Sequence, residues 1–210
     1  MKKKIDLNTW NRNEHYEFFS KMDCPNFGIV AEVDCTHTFN RSKANNQSFF
    51  AQYLHRSMTA INKVDAFKLR IIGDDVYEYD MIHAGSTIAR EDGTFGFAFI
   101  EFSNNFEIFN NNLQKEVIAI QNSTGLRLNN DDLDLNLIRH SSIPWHSFTS
   151  ILHPTNINNK ESIPKIVFGK FSEKNGRKML PVSVEAHHGL MDGRHIAEYL
   201  DLFQKALDYD

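Results

Sequence analysis

Met179-Leu180-Pro181-Val182-Ser183-Val184-Glu185-Ala186-His187-His188-Gly189-Leu190-Met191-Asp192-Gly193 is the stretch that decides how the rest of the chain reads. From Met179 to Ala186, apolar Leu180, Val182, Val184 and Ala186 alternate with a second set, the period-two signature of a strand with one buried face. Two histidines follow, and Asp192-Gly193 then marks a tight turn ahead of a helix running to about Asp208. That helix presents Ile196, Leu200, Phe203 and Leu207 at helical spacing. A strand end is where a rigid scaffold can present a reactive group, so the histidine pair is the first candidate site.

Working back from this segment, Lys174-Asn175-Gly176 reads as a hairpin turn that joins it to a strand from Ile166 to Phe171. A further strand is expected around Phe148. Earlier, Phe106, Phe109, Leu113, Val117 and Ile120 mark the buried stripe of a long helix, Phe95, Phe97 and Phe99 alternate along a strand, and the acidic, Asn-rich stretch 129–134 reads as a surface loop. Phe67 to Ile72 and Val76 to Tyr79 flank Gly73-Asp74-Asp75 as a second hairpin. Phe50, Leu54, Met58 and Ile61 predict a helix after Asn45-Asn46-Gln47, Gly28 to Cys35 a strand, and Asn13 to Met22 a short helix stopped at Cys24-Pro25-Asn26. Hairpins interspersed with helices, with no repeat or linker, favour one α+β domain over residues 1–210. The expected form is a two-layer sandwich of a mixed, mostly antiparallel sheet with helices packed on one face.

With 210 residues and 41% hydrophobic content, the chain can bury one substantial core. Its 17 phenylalanines can fill that core or line an apolar pocket. A net charge of −4 and no run of Lys and Arg interleaved with aromatics argue against nucleic acid as a partner. Met1-Lys2-Lys3-Lys4 is followed by polar residues and no apolar stretch is long enough to span a bilayer, so no membrane and a cytoplasmic location are expected. Cys24 and Cys35 are expected as reduced thiols without a catalytic role.

Histidine titrates near neutrality and can accept a proton from a hydroxyl as that hydroxyl attacks a carbonyl, which contributes about 10²- to 10⁴-fold in rate. His188 fits that role if its ring is fixed with one nitrogen free to accept, and the Asp192-Gly193 turn can organise its surroundings. Two other readings stand beside it. One is a histidine that only satisfies local structure. The other is a zinc ligand, against which adjacent histidines on a strand point to opposite faces and HExxH is absent, so no metal is expected.

His187-His188-Gly189-Leu190-Met191-Asp192-Gly193 resembles the HHxxxDG signature of CoA-dependent acyltransferases, shared by chloramphenicol acetyltransferases, dihydrolipoyl acyltransferases and peptide-synthetase condensation domains. Trp10-Asn11-Arg12-Asn13-Glu14-His15-Tyr16-Glu17-Phe18 resembles the N-terminal segment of the chloramphenicol acetyltransferase family. Phe67-Lys68-Leu69-Arg70-Ile71 and Ser141-Ser142-Ile143-Pro144-Trp145 match it in order and spacing.

That resemblance implies His188 as general base, Ser141 as hydroxyl donor to the oxyanion, and an Asp192–Arg12 pair holding the His188 loop. It places Phe18, Phe19, Trp145, Ile151 and His153 about the acceptor, and Arg139 and Phe171 toward CoA. It implies transfer of acetyl from acetyl-CoA to a hydroxyl of chloramphenicol or a related small molecule, in a homotrimer with sites at subunit interfaces. Asp23 and His153 stand where the family usually has leucine, Ile151 replaces an aromatic, and Val167 a threonine. Polar groups at such positions are costly to bury unless paired. The rival readings are an acyltransferase with another acceptor and a catalytically silent small-molecule binder.

Overall fold

The computed structural model describes residues 1–127, 135–155 and 161–209, so the expected loop at 129–134 lies outside the described residues. In chain order the elements are β1 (Lys2–Lys4), α1 (Asn13–Phe19), β2 (Asn26–Asp34), α2 (Thr36–Ala44), α3 (Phe49–Ile61), a 3₁₀ turn (Asp65–Lys68), β3 (Leu69–Ile72), β4 (Asp75–Tyr79), β5 (His83–Ala89), β6 (Phe95–Ile100), α4 (Phe106–Gln121), β7 (Leu137–Ile143), β8 (Lys165–Gly169), β9 (Ser172–Lys174), β10 (Arg177–His187) and α5 (Gly193–Asp208).

The main sheet runs β2-β10-β8-β7-β5-β6, with β9 paired to β10. The β5–β7 and β7–β8 pairs are parallel and the others antiparallel, so the sheet is mixed. A second sheet, β1-β4-β3, stands apart from it. Along β10, Leu180, Val182, Val184 and Ala186 face the helices in one core with Ile166 and Phe168 of β8, Ile138 of β7, Leu54, Met58 and Ile61 of α3, and Ile196, Phe203 and Leu207 of α5. The α3–α5 contact is tied by Ser57 Oγ and Tyr199 Oη at 2.8 Å, both buried. A smaller cluster of Tyr16, Leu69, Ile71, Val76 and Leu190 joins α1 to the second sheet and to the loop after His188.

Both hairpins form where turn chemistry predicts them. Asn175 (φ 51°) and Gly176 (φ 77°) make a two-residue turn between paired Lys174 and Arg177, a left-handed pair of conformations that Asn and Gly adopt most readily. The predicted strand around Phe148 does not form. The strand of this region is β7, which ends at Ile143, because Pro144 cannot donate to a ladder and the chain leaves the sheet there.

Helix α2, strands β5 and β7, and the short β1 carry no strong apolar period. In α2 the buried positions are Thr38 and Ser42, whose hydroxyls donate to Leu207 O at 2.6 Å and Thr38 O at 2.7 Å. Polar side chains satisfied by backbone carbonyls hold that helix, so hydropathy gives no sign of it.

Arg70, fully buried, anchors the chain between the two sheets. Its guanidinium donates to Leu135 O and Leu137 O at 2.5 Å and to Phe67 O and Leu69 O at 2.8 and 2.7 Å. Burial pulls its pKa down to about 9, which still leaves the group charged at neutral pH.

Candidate active site

The loop after β10 is built around its two histidines. His187, the last residue of β10, is buried, and its Nδ1 accepts the Gly189 N–H at 3.1 Å. That turn brings Gly189 against the first helix: a Cβ at residue 189 would stand 3.0 Å from the His187 ring and 3.1 Å from the Tyr16 Cα, so a side chain there would push the loop away from α1.

One residue on, the side chain of His188 has the opposite sense from that of His187. Its ring is stacked on Phe19 of α1, with centroids 4.1 Å apart and planes within 6°, and it meets Phe27 of β2 at 4.4 Å. Its N–H donates to Pro25 O at 2.9 Å. Nδ1 is buried, with no hydrogen-bond partner among the described residues, while Nε2 is not enclosed, so Nε2 is the ring's outward nitrogen.

Arg12 secures the same loop from the other side. Its Nη1 lies 2.6 Å from Asp192 Oδ2, and its Nη2 donates to the His188 carbonyl at 3.2 Å. Asp192 also caps α5, accepting the Arg194 N–H at 3.0 Å, and its own N–H donates to His195 Nδ1 at 3.1 Å. Burial alone would raise the Asp192 carboxyl, but the bonds from Arg12 and Arg194, with the nearby His195, outweigh it and hold the pKa at about 2.

The geometry therefore gathers His188, Asp192, Arg12 and Phe19 into one assembly. Phe18 packs edge-on against Phe19 with 60% of its surface exposed, one ring removed from His188. Phe27 belongs to the assembly, and sequence reading missed it. The available signal was register: Phe27 pairs with Ala186, on the face that His188 also shares.

Ser141 is elsewhere. Its hydroxyl lies 3.3 Å from Thr87 Oγ1 on the open face of the sheet, the face away from the helices. Register sets it level with Val167 of β8 and Ser183 of β10. At about 3.3 Å per residue and about 4.8 Å per strand, Ser141 is roughly 19 Å from His188 within one chain. Val167, buried between the two serines, offers no hydroxyl.

Other predicted residues divide in the same way. Trp145, just beyond β7, is 70% exposed, Asp23 is exposed, and Ile151 is half-buried. His153 lies with Nδ1 3.0 Å from Glu185 Oε2. Arg139 and Phe171, expected together toward CoA, do not form one site in a chain. Arg139 pairs in register with Lys165 and ion-pairs with Glu161, whereas Phe171 packs edge-on against Phe39 and Phe49 beside the helices, roughly 20 Å further along β8. The sequence cue used for that pair was likeness of position, and register separates them. No group of three or more His, Cys, Asp or Glu side chains poised to hold a metal ion occurs among the described residues, and no helix among them is long and apolar enough to cross a membrane.

A mixed sheet covered by helices on one face, whose longest strand delivers an imidazole in an HHxxxDG loop tied down by an arginine, defines a CoA-dependent acyltransferase. The chloramphenicol acetyltransferase family profile matches residues 2–204. A chloramphenicol acetyltransferase of Campylobacter coli is 26% identical over 98% of each chain. A solved chloramphenicol acetyltransferase structure superposes with a TM-score of 0.90 at 31% identity, covering 99% of this chain and 100% of that one. A probable dihydrolipoamide acetyltransferase of Listeria monocytogenes shares the fold at a TM-score of 0.70 and 15% identity, covering 93% of this chain and 88% of that one. The chain belongs to the chloramphenicol acetyltransferase family.

Proposed function

We propose that residues 1–210 act as one acetyltransferase domain that moves acetyl from acetyl-CoA to a hydroxyl of chloramphenicol or a related small molecule. The observation that carries this reading is the clamped His188, whose ring is stacked on Phe19 with Nε2 outward and whose carbonyl is held by Arg12. Nε2 takes the proton of the acceptor hydroxyl as its oxygen bonds to the thioester carbonyl carbon. The carbonyl electrons move to oxygen, where the Ser141 hydroxyl donates to the oxyanion. Collapse then breaks the C–S bond, and the leaving thiolate takes the proton back from His188.

Both groups must lie about 3 Å from the reacting atoms. A separation of roughly 19 Å in one chain therefore requires Ser141 and His188 to come from different copies, which supports an oligomer with composite sites and the homotrimer implied by family likeness. A cytoplasmic location fits an enzyme that draws on acetyl-CoA.

The test is thiol release from acetyl-CoA with chloramphenicol and a panel of small alcohols. Turnover that falls by about 10³-fold or more in a folded His188→Ala variant supports the assignment. Release with no acceptor, or unchanged turnover in that variant, overturns it.

A further inference from the structure

A row of charge stands beside Ser141 on the open face of the sheet. Glu185 of β10 pairs in register with Lys165 of β8, and Lys165 with Arg139 of β7. The three side chains project from one face, two residues along from the Ser183–Val167–Ser141 row, or about 7 Å.

They are joined into a lattice. Lys165 Nζ lies 3.2 Å from Glu185 Oε1 and 3.7 Å from Glu161 Oε2, and donates to Pro154 O at 3.1 Å. The other Glu185 oxygen meets His153 Nδ1 at 3.0 Å, and Arg139 pairs with Glu161. Burial pushes the Glu185 carboxyl up, but His153 and Lys165 outweigh it and hold it below the usual range. Lys165, Glu185, Glu161 and His153 expose between 8% and 16% of their side chains, while Arg139 exposes 53%. His153 Nε2 is enclosed without a hydrogen-bond partner among the described residues.

We propose that this lattice sets acceptor selectivity: it favours a molecule that carries further hydroxyls or an amide besides the hydroxyl to be acetylated, and it rejects a bare apolar alcohol. Arg139, the half-exposed member, contacts the acceptor's polar groups, and His153, Lys165 and Glu185 are positioning residues behind it. This rests on the acetyl-transfer reading, which makes the Ser141 row the reacting row.

The physical reason is desolvation. An apolar group laid on this row removes water from the half-exposed Arg139 guanidinium and returns no hydrogen bonds, whereas an acceptor with its own donors and acceptors replaces that water. Sites built on hydrogen-bonding groups discriminate far more steeply than apolar pockets.

The test compares chloramphenicol, which carries a second hydroxyl and an amide, with a bare phenylalkyl alcohol. The proteins are the wild type and a Lys165→Ile/Glu185→Val double variant, which removes both partners and leaves no orphan charge between them. kcat/KM is read from thiol release, and binding of each probe is read by calorimetry in a His188→Ala background, where no chemistry occurs.

The wild type is expected to prefer chloramphenicol by about 100-fold or more, and the double variant to lose at least about tenfold of that preference with KM for acetyl-CoA unchanged. If the double variant fails to fold, Arg139→Val, at a half-exposed position, is expected to move the preference in the same direction. A preference unchanged within about twofold, or a wild type that favours the bare alcohol, overturns the proposal. Selective binding without thiol release from any acceptor supports the selectivity and overturns the acetyl-transfer reading instead.

Discussion

The imidazole of His188 lies flat against the phenyl ring of Phe19, centroids 4.1 Å apart and planes within 6°. An aromatic pair of this kind contributes about 0.5–1.5 kcal/mol beyond its buried area. Here that energy fixes a ring that must present one nitrogen. Phe19→Leu is expected to lower kcat by about 2- to 10-fold with little change in KM for acetyl-CoA, which steady-state kinetics checks.

The second support of that ring is the contact between Arg12 and the His188 carbonyl. Asp192→Asn keeps the shape of the cap but weakens its charge-assisted bond to Arg12, and Arg12→Met removes the bond to the carbonyl as well. The costs of the two single changes are expected to sum to more than the cost of the double variant, because either change alone leaves a charge without its partner. A double-mutant cycle on kcat/KM and on urea unfolding measures the coupling.

Ser141 and His188 are too far apart in one chain to act on one carbonyl. Ser141→Ala is expected to lower kcat by about 10²- to 10³-fold, as loss of an oxyanion donor does. Refolding it together with His188→Ala subunits is expected to restore about a quarter of the sites, since an interface that draws its serine from one variant and its histidine from the other is intact. Turnover in the mixture well above that of either variant alone is the measurement.

His140 of β7 is enclosed on the helix-covered face of the sheet, stacked on Phe168 with planes within 3°, and burial pulls its pKa down from 6.5 to about 4. Between those values the unfolded chain binds a proton that the folded one does not. Stability is therefore full above about pH 6.5 and falls as the pH drops toward 4, by up to about 3 kcal/mol. Urea midpoints at pH 7.5 and 4.5 read this loss, and His140→Phe is expected to flatten it.

The two cysteines should separate cleanly under alkylation. Cys35 is buried, its Sγ contacts Lys178 O at 3.2 Å, and burial pushes its thiol up to about 12. Cys24 is exposed. Iodoacetamide is expected to modify one thiol in the native protein and both after denaturation, counted by mass spectrometry.

Much of this molecule is governed by short-range rules that are legible along the chain. The Asn175-Gly176 turn, the alternation that puts Leu180, Val182 and Val184 in the core, and the Asp192 cap of α5 depend on residues within a few positions of each other. Turn conformations, strand parity and helix capping are local, so sequence by itself determined them, along with the loop that presents His188. Register is not local. That β7 lies parallel to β8, that Ser141 consequently stands far from His188, that Arg139 and Phe171 part company, and that Lys165 and Glu185 meet beneath His153 follow from pairings between distant segments. Those pairings are chosen by the fit of the whole core, and only the tertiary structure decided them.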